Sequence, residues 1–162
     1  MIFLISMVSG CSKNEATPTI PLPVRFESDF NADFGRLTLC GHISKLETGI
    51  YEIIITAPES LEKLRINYIG GQLTSTLDGI SFDINTENSP VSGFVTRITG
   101  LLDSISKSAN TVITATEDYN KYSVIYQDNT SYILQEKKSG SITSLVIESS
   151  DISMNFINFK KD

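Results

Sequence analysis

Apolar residues recur along this chain with two different periods, and the change between them marks out its elements. Residues 26–34 alternate strictly: Phe26, Ser28, Phe30, Ala32 and Phe34 share one face, and Glu27, Asp29, Asn31 and Asp33 share the other. A period of two is that of a half-buried β-strand. The alternation continues through Leu37, Leu39, Gly41 and Ile43. From Gly49 to Ala57 the run Ile50, Tyr51, Ile53, Ile54 and Ile55 is apolar on both sides, which predicts a strand that is central or covered by a helix. Pro58 ends it, and residues 59–63 leave room for one turn. Leu64 to Tyr68 alternates up to a Gly70-Gly71 turn, Leu73, Ser75 and Leu77 continue, Asp78-Gly79 marks a tight hairpin, and 80–84 form a further strand. Segments 111–116, 122–127, 132–137, 142–149 and 152–159 also have strand character. Turn residues sit between them at 118–121, Asp128-Asn129 and Ser139-Gly140. Connections this short join antiparallel neighbours.

One stretch breaks the pattern. From Ser89 to Lys107 the apolar residues are Val91, Phe94, Val95, Ile98, Leu101, Leu102 and Ile105. At ~100° per residue they fall within an arc of roughly 120° of a helix. Ser89 suits the N-cap and Pro90 the first helical position, where a missing N–H costs nothing. Ser92, Thr96, Arg97, Thr99, Asp103 and Ser104 fill the other side, together with Gly93 and Gly100, each costing up to about 1 kcal/mol of helix propensity. The pattern therefore predicts a mainly β (α+β) fold of about ten strands with one main helix. Periodicity leaves two readings of that helix: it packs on the sheet and completes a core, or it covers a cavity.

The N-terminus has a different composition. Ile2 to Val8 is a short apolar run, well under the ~20 residues that span a bilayer, and it resembles the hydrophobic part of an export signal. Val8-Ser9-Gly10-Cys11 resembles the lipobox of bacterial lipoproteins, in which the cysteine receives a diacylglycerol of palmitate-type chains and becomes the new N-terminus. No Lys or Arg precedes the run, which departs from that pattern. Residues 12–23 are polar and contain Pro18, Pro21 and Pro23, the composition of an extended tether. The expected organisation is a signal segment at 1–10, a lipidated Cys11 with its tether at 11–23, and a β domain at 24–162. This places the domain outside the cell, anchored by lipid to the outer face of the cell membrane, or to the outer membrane of a Gram-negative cell.

Charge narrows the partners. The chain of 162 residues is 40% hydrophobic and has a net charge of −6. An acidic domain without a basic stripe is unsuited to nucleic acid, which is bound by neutralising phosphates. Cys11 and Cys40 suggest neither a disulfide framework nor a metal knuckle. The acidic row of residues 27–33 offers oxygen ligands of the Ca²⁺ type, but reads more simply as a solvated face that discourages edge pairing.

The stretch Ala57-Pro58-Glu59-Ser60-Leu61-Glu62-Lys63-Leu64-Arg65-Ile66-Asn67-Tyr68-Ile69-Gly70-Gly71 reads as strand, proline, short turn, strand and glycine turn. It is followed by 73–77, Asp78-Gly79, 80–84 and the helix, and the chain closes on Met154-Asn155-Phe156-Ile157-Asn158-Phe159. This order resembles the LolA/LolB-like lipoprotein-carrier superfamily. The resemblance implies a strongly curved antiparallel sheet, an unclosed barrel, with helical elements on its concave face, and a lipid or lipoprotein acyl chain held there. The ligand would lie between Phe94, Ile98, Leu101, Leu102 and Ile105 of the helix and Phe30, Phe34, Ile53 and Ile55 of the sheet. Two departures qualify it: the chain has no tryptophan, and a lipobox suits a fixed receptor or binding lipoprotein better than a soluble shuttle. The competing expectation is an envelope module that meets another protein, with the same residues packed into a filled core and no small ligand.

Catalytic constellations do not emerge. His42 is the only histidine and sits opposite the apolar row of its strand, so no His-pair metal site exists. Cys40, in the same strand, reads as a small half-buried apolar residue. Ser60…Lys63 and Ser104…Lys107 match the Ser-x-x-Lys spacing without its partner motif. Asn129-Thr130-Ser131 matches a glycosylation acceptor, which says nothing in a bacterial lipoprotein. The expectation is a non-enzyme without cofactor, catalytic residue or metal.

Overall fold

A computed structural model of the protein describes residues 21–83, 89–107, 111–126 and 129–161. The lipobox with Cys11, the tether up to residue 20, and the predicted positions Ile84, Gln127 and Asp128 lie outside the described residues. Among the described residues there are eleven strands: β1 (Phe26–Phe34), β2 (Leu37–Glu47), β3 (Ile50–Ala57), β4 (Arg65–Ile69), β5 (Gln72–Leu77), β6 (Ile80–Asp83), β7 (Val112–Ala115), β8 (Tyr119–Tyr126), β9 (Asn129–Glu136), β10 (Ile142–Ile147) and β11 (Ile152–Lys161). The helix α1 spans Pro90–Lys107, and 3₁₀ turns occupy Glu59–Leu61 and Glu148–Ser150.

All strands form one antiparallel, unclosed sheet in the order β6-β5-β4-β3-β2-β1-β11-β10-β9-β8-β7. It consists of two meanders joined along β1 and β11, the first and last of the described strands. α1 is the connection between β6 and β7, the two outer edges, so the chain crosses the sheet once, by a helix.

The period-two reading of residues 26–34 holds residue by residue: Phe26, Ser28, Phe30 and Ala32 are buried, Glu27, Asp29, Asn31 and Asp33 are exposed. Its position needs correction. β1 lies between β2 and β11 in the middle of the sheet, so the acidic row guards no edge. A half-buried strand alternates in the same way at an edge or in the centre; the difference is set by pairing with a strand at the far end of the chain. In the register of β1 and β2, Phe30 faces Gly41. A Cβ on Gly41 would overlap the Ile54 carbonyl oxygen and come within 2.9 Å of the Phe30 ring, so only glycine fits beneath that ring.

Several boundaries also shift. β8 starts at Tyr119 rather than 122, because Asn120 turns inward and pairs with Gln135 of β9. Tyr126 pairs with Asn129, which moves Asn129 from the predicted turn into β9. β10 stops at Ile147, and Asp151, in the left-handed region (φ 48°), turns the chain into β11.

The Ser89 carbonyl accepts from the Gly93 N–H at 3.1 Å and from Ser92 Oγ at 2.8 Å, so α1 begins where the sequence placed it. Its seven apolar residues are all buried. Its polar flank is a correction: Ser92 and Thr99 are fully buried too. Each hydroxyl bonds a carbonyl of the preceding turn, Ser92 to Ser89 and Thr99 to Val95 at 2.9 Å, and therefore enters an apolar interior without an unmet donor. Gly100 faces Tyr126, whose hydroxyl occupies the space a Cβ would take. The helix is thus lodged in the trough of the sheet, with protein on more than its apolar stripe.

Candidate functional site

The nine residues expected to line a ligand come together. Phe94, Ile98 and Leu101 are fully buried, as are Ile53 and Ile55; Phe30, Leu102 and Ile105 are buried, and Phe34 is partly so. All belong to one core cluster. The Phe94 ring lies 6.1 Å from that of Phe30 and 6.2 Å from that of Phe34, within aromatic contact range. The Arg97 guanidinium covers the outer side of Phe34, 5.6 Å from its centroid. Helix stripe and sheet face meet each other directly at these residues.

A cavity of about 450 Å³ opens beside them, at the rim of the sheet, and Ile105 is the one expected residue that reaches it. Its walls come from five separate segments: Pro21, Leu22 and Val24 ahead of β1, Thr48 in the β2–β3 turn, Ile105 and Ser106 in the last turns of α1, Ile113 on β7 and Tyr122 on β8. Ile113 and Tyr122 are cross-strand partners and present neighbouring side chains. Tyr122 is held in place by its hydroxyl, which donates to Gln135 Oε1 at 2.9 Å. The other end of that buried amide donates to the Gly140 carbonyl at 3.0 Å and to the Pro21 carbonyl at 3.4 Å. Burial raises the Tyr122 phenol above its ordinary pKa, so it stays a neutral donor. The volume and the mainly apolar walls suit a small hydrophobic ligand or one end of a larger one.

A second cavity of about 430 Å³ lies next to it, between Arg25, Phe26, Glu27, Ser44, Lys45, Leu46, Glu47 and Ile50. Its charges are matched: Arg25 pairs with Glu47 at 3.2 Å, Glu27 with Lys160 at 2.9 Å, and Lys45 with Asp103 at 3.2 Å. Paired in this way they leave little unbalanced field for an ionic ligand. The buried Lys45–Asp103 pair was not read from the sequence. Its signal was the parity of β2, which puts Lys45 on the same inner face as Leu39, Gly41 and Ile43.

No family model matches this chain, and no curated protein matches it in sequence. Solved structures do resemble it. An uncharacterised conserved protein from Thermus thermophilus superposes with a TM-score of 0.55 at 10% identity, over 87% of this chain and 80% of that one. A LolA superfamily protein from Nitrosomonas europaea gives 0.41 at 8% identity, over 88% of each chain. A structure of the Pseudomonas aeruginosa MucA/MucB complex gives 0.45 at 10% identity, over 84% of this chain and 51% of that one. The architecture described above, an unclosed antiparallel sheet with a helix in its trough, is the one the sequence led us to expect. At 10% identity and a TM-score of 0.55, the likeness to the Thermus thermophilus protein is one of fold alone.

On the outer face of the sheet, His42 Nδ1 lies 3.0 Å from Asp29 Oδ1, and Asn158 Nδ2 donates to Asp29 Oδ2 at 3.0 Å. Those two hydrogen bonds, Asn158 first, hold the Asp29 carboxyl below the usual carboxylate range. Cys40 is a free, half-buried thiol on the same strand. This grouping is on the opposite side of the sheet from the rim cavity. Among the described residues, no group of three or more His, Cys, Asp or Glu side chains is placed to hold a metal ion.

Proposed function

We propose that the protein is an exported envelope lipoprotein, anchored through Cys11, whose LolA-like domain binds an apolar ligand of the acyl-chain class in the rim cavity. The observation that carries the reading is the cavity between Leu22, Val24, Ile105, Ile113 and Tyr122. In this reading the ligand sits at the end of α1 rather than at the helix–sheet interface, where Phe94 meets Phe30 and Phe34 directly. Affinity would come from burying methylenes at about 0.8 kcal/mol each, so selectivity among chains would be loose. The domain's role in this reading is binding without chemistry.

The test uses a chain starting at Ser12. The core cluster and its packed neighbours run from Leu22 to Phe159, so this chain keeps the whole of it. Native mass spectrometry before and after organic extraction should show a lipid-sized adduct that is removed by extraction. A protein of bare polypeptide mass in both states, which also fails to take up added fatty acid, would remove the reading.

A second reading has its own observation. The two edge strands expose Ile80 and Phe82 on β6, and Val112 and Ile113 on β7. Unpaired edges with apolar side chains are sites at which another chain adds a strand. An envelope protein that pairs with β7 would make the domain an interaction module.

A further inference from the structure

We propose that the rim cavity is filled in cis, by an acyl chain carried on Cys11 of the same polypeptide. The inference rests on the apolar-ligand reading above and adds the source of the ligand.

The first described residues of the chain, Pro21, Leu22 and Val24, form part of the cavity wall. The Pro21 carbonyl is held at 3.4 Å by Gln135 Nε2, the same amide whose other end fixes Tyr122. The chain therefore enters the domain at the lip of the cavity and is tied to its wall there. Cys11 lies ten residues upstream of Pro21. Fully extended, that length reaches at most about 36 Å, which bounds the distance from Cys11 to the lip of the cavity. The intervening residues Ser12 to Ile20 are mostly polar or proline and supply little that would compete for an apolar cavity.

Tethering sets the competition. A short flexible linker presents its cargo at an effective concentration of order millimolar. At such a concentration one chain of a multiply acylated cysteine resides in the cavity while the others hold the membrane. The domain would then sit close to the bilayer with its rim toward the lipid, and its cavity would be closed to foreign chains until its own is displaced.

The experiment grows the full-length protein with a fatty acid bearing a diazirine and a terminal alkyne, so that the label is carried on Cys11. The protein is reconstituted in phosphatidylethanolamine/phosphatidylglycerol vesicles and irradiated. The expected product is an intramolecular cross-link to peptides carrying Ile105–Ser106, Ile113 or Tyr122, unchanged in yield when the vesicles carry tenfold less protein. Ile113→Trp, and independently Ser106→Trp, should shift the cross-links to phospholipid at an unaltered melting temperature. Cross-links to phospholipid alone, cross-links to a second chain alone, or no label at Cys11 would each overturn the proposal. A parallel titration with cis-parinaric acid separates this inference from the one beneath it. With the same vesicles present in both titrations, the chain from Ser12 should bind the probe at least tenfold more tightly than the lipidated protein. Equal binding by both refutes cis occupancy and leaves the ligand reading standing; no binding by the Ser12 chain refutes the ligand reading itself.

Discussion

Lys45 Nζ stands 3.2 Å from Asp103 Oδ1 inside the sheet, the lysine side chain 2% exposed and the aspartate side chain 13%. Tyr51 donates its hydroxyl to the same oxygen at 2.6 Å, and the Lys45 ammonium lies 5.4 Å from the Tyr51 ring centroid. The three residues bind the C-terminal half of α1 to β2 and β3, two residues before Ile105, which reaches the rim cavity. Removing one partner of a buried pair leaves the other charge uncompensated. Asp103→Ala should therefore cost about 3 kcal/mol in urea unfolding. Lys45→Met combined with Asp103→Leu should recover the part of that loss due to the stranded ammonium, while the Tyr51 hydroxyl still lacks its acceptor, and losses that simply add would refute the coupling.

Tyr51 gives the alkaline side of the stability profile. Burial first, then the hydrogen bond to Asp103 and that carboxylate's charge, push its phenol well above the ordinary range. A group with a raised folded-state pKa contributes fully below its unfolded value, about 10 for tyrosine, and loses its contribution as pH rises beyond it. The wild type should lose stability above about pH 10 more steeply than Tyr51→Phe does. Parallel curves for the two proteins would argue against a buried, neutral Tyr51.

Asp29 shows the opposite sign. Its carboxyl is held low in the folded protein, so its contribution is present above the unfolded value of about 3.9 and is lost as pH falls through the folded one. The site is largely exposed, so the effect on stability is small. The direct readout is the side-chain carboxyl shift in an NMR titration. Asn158→Ala and His42→Ala should each move the Asp29 midpoint upward, and a midpoint unmoved in both variants would refute this account of the lowered carboxyl.

Gly100 and Tyr126 make a steric prediction. By propensity alone, Gly100→Ala in a helix interior should stabilise by up to about 1 kcal/mol. Here the new methyl would meet the Tyr126 hydroxyl, so the substitution should destabilise. Tyr126→Phe in the Gly100→Ala background should restore part of the loss. A stabilised single variant would show that helix and β8 are farther apart than described.

How much of this was legible in the chain depends on how local each feature is. The faces of β1 and the stripe of α1 follow from periods of two and 3.6 and were readable directly. Whether β1 is an edge or a centre depends on β11, and no local pattern carries that. Lys45 was legible in principle by parity, but a charged residue after Ile43 reads as the end of an inner face. Its partner Asp103 sits on a distant helix, on a flank that periodicity assigns to solvent. The burial of Ser92 and Thr99 was hidden for the same reason, since their hydroxyls are satisfied within the helix itself. The rim cavity is assembled from five segments that meet only in the fold, and Ile105 was its single readable member.

The central claim is that the domain takes an apolar chain at the rim. The most direct measurement is a fluorescence titration of the chain from Ser12 with cis-parinaric acid, alongside Ile113→Trp and Ser106→Trp. Saturable binding is expected of the unsubstituted chain, and binding at least tenfold weaker of both variants, with their melting temperatures unchanged. Binding that is absent, or equal in all three proteins, would contradict it.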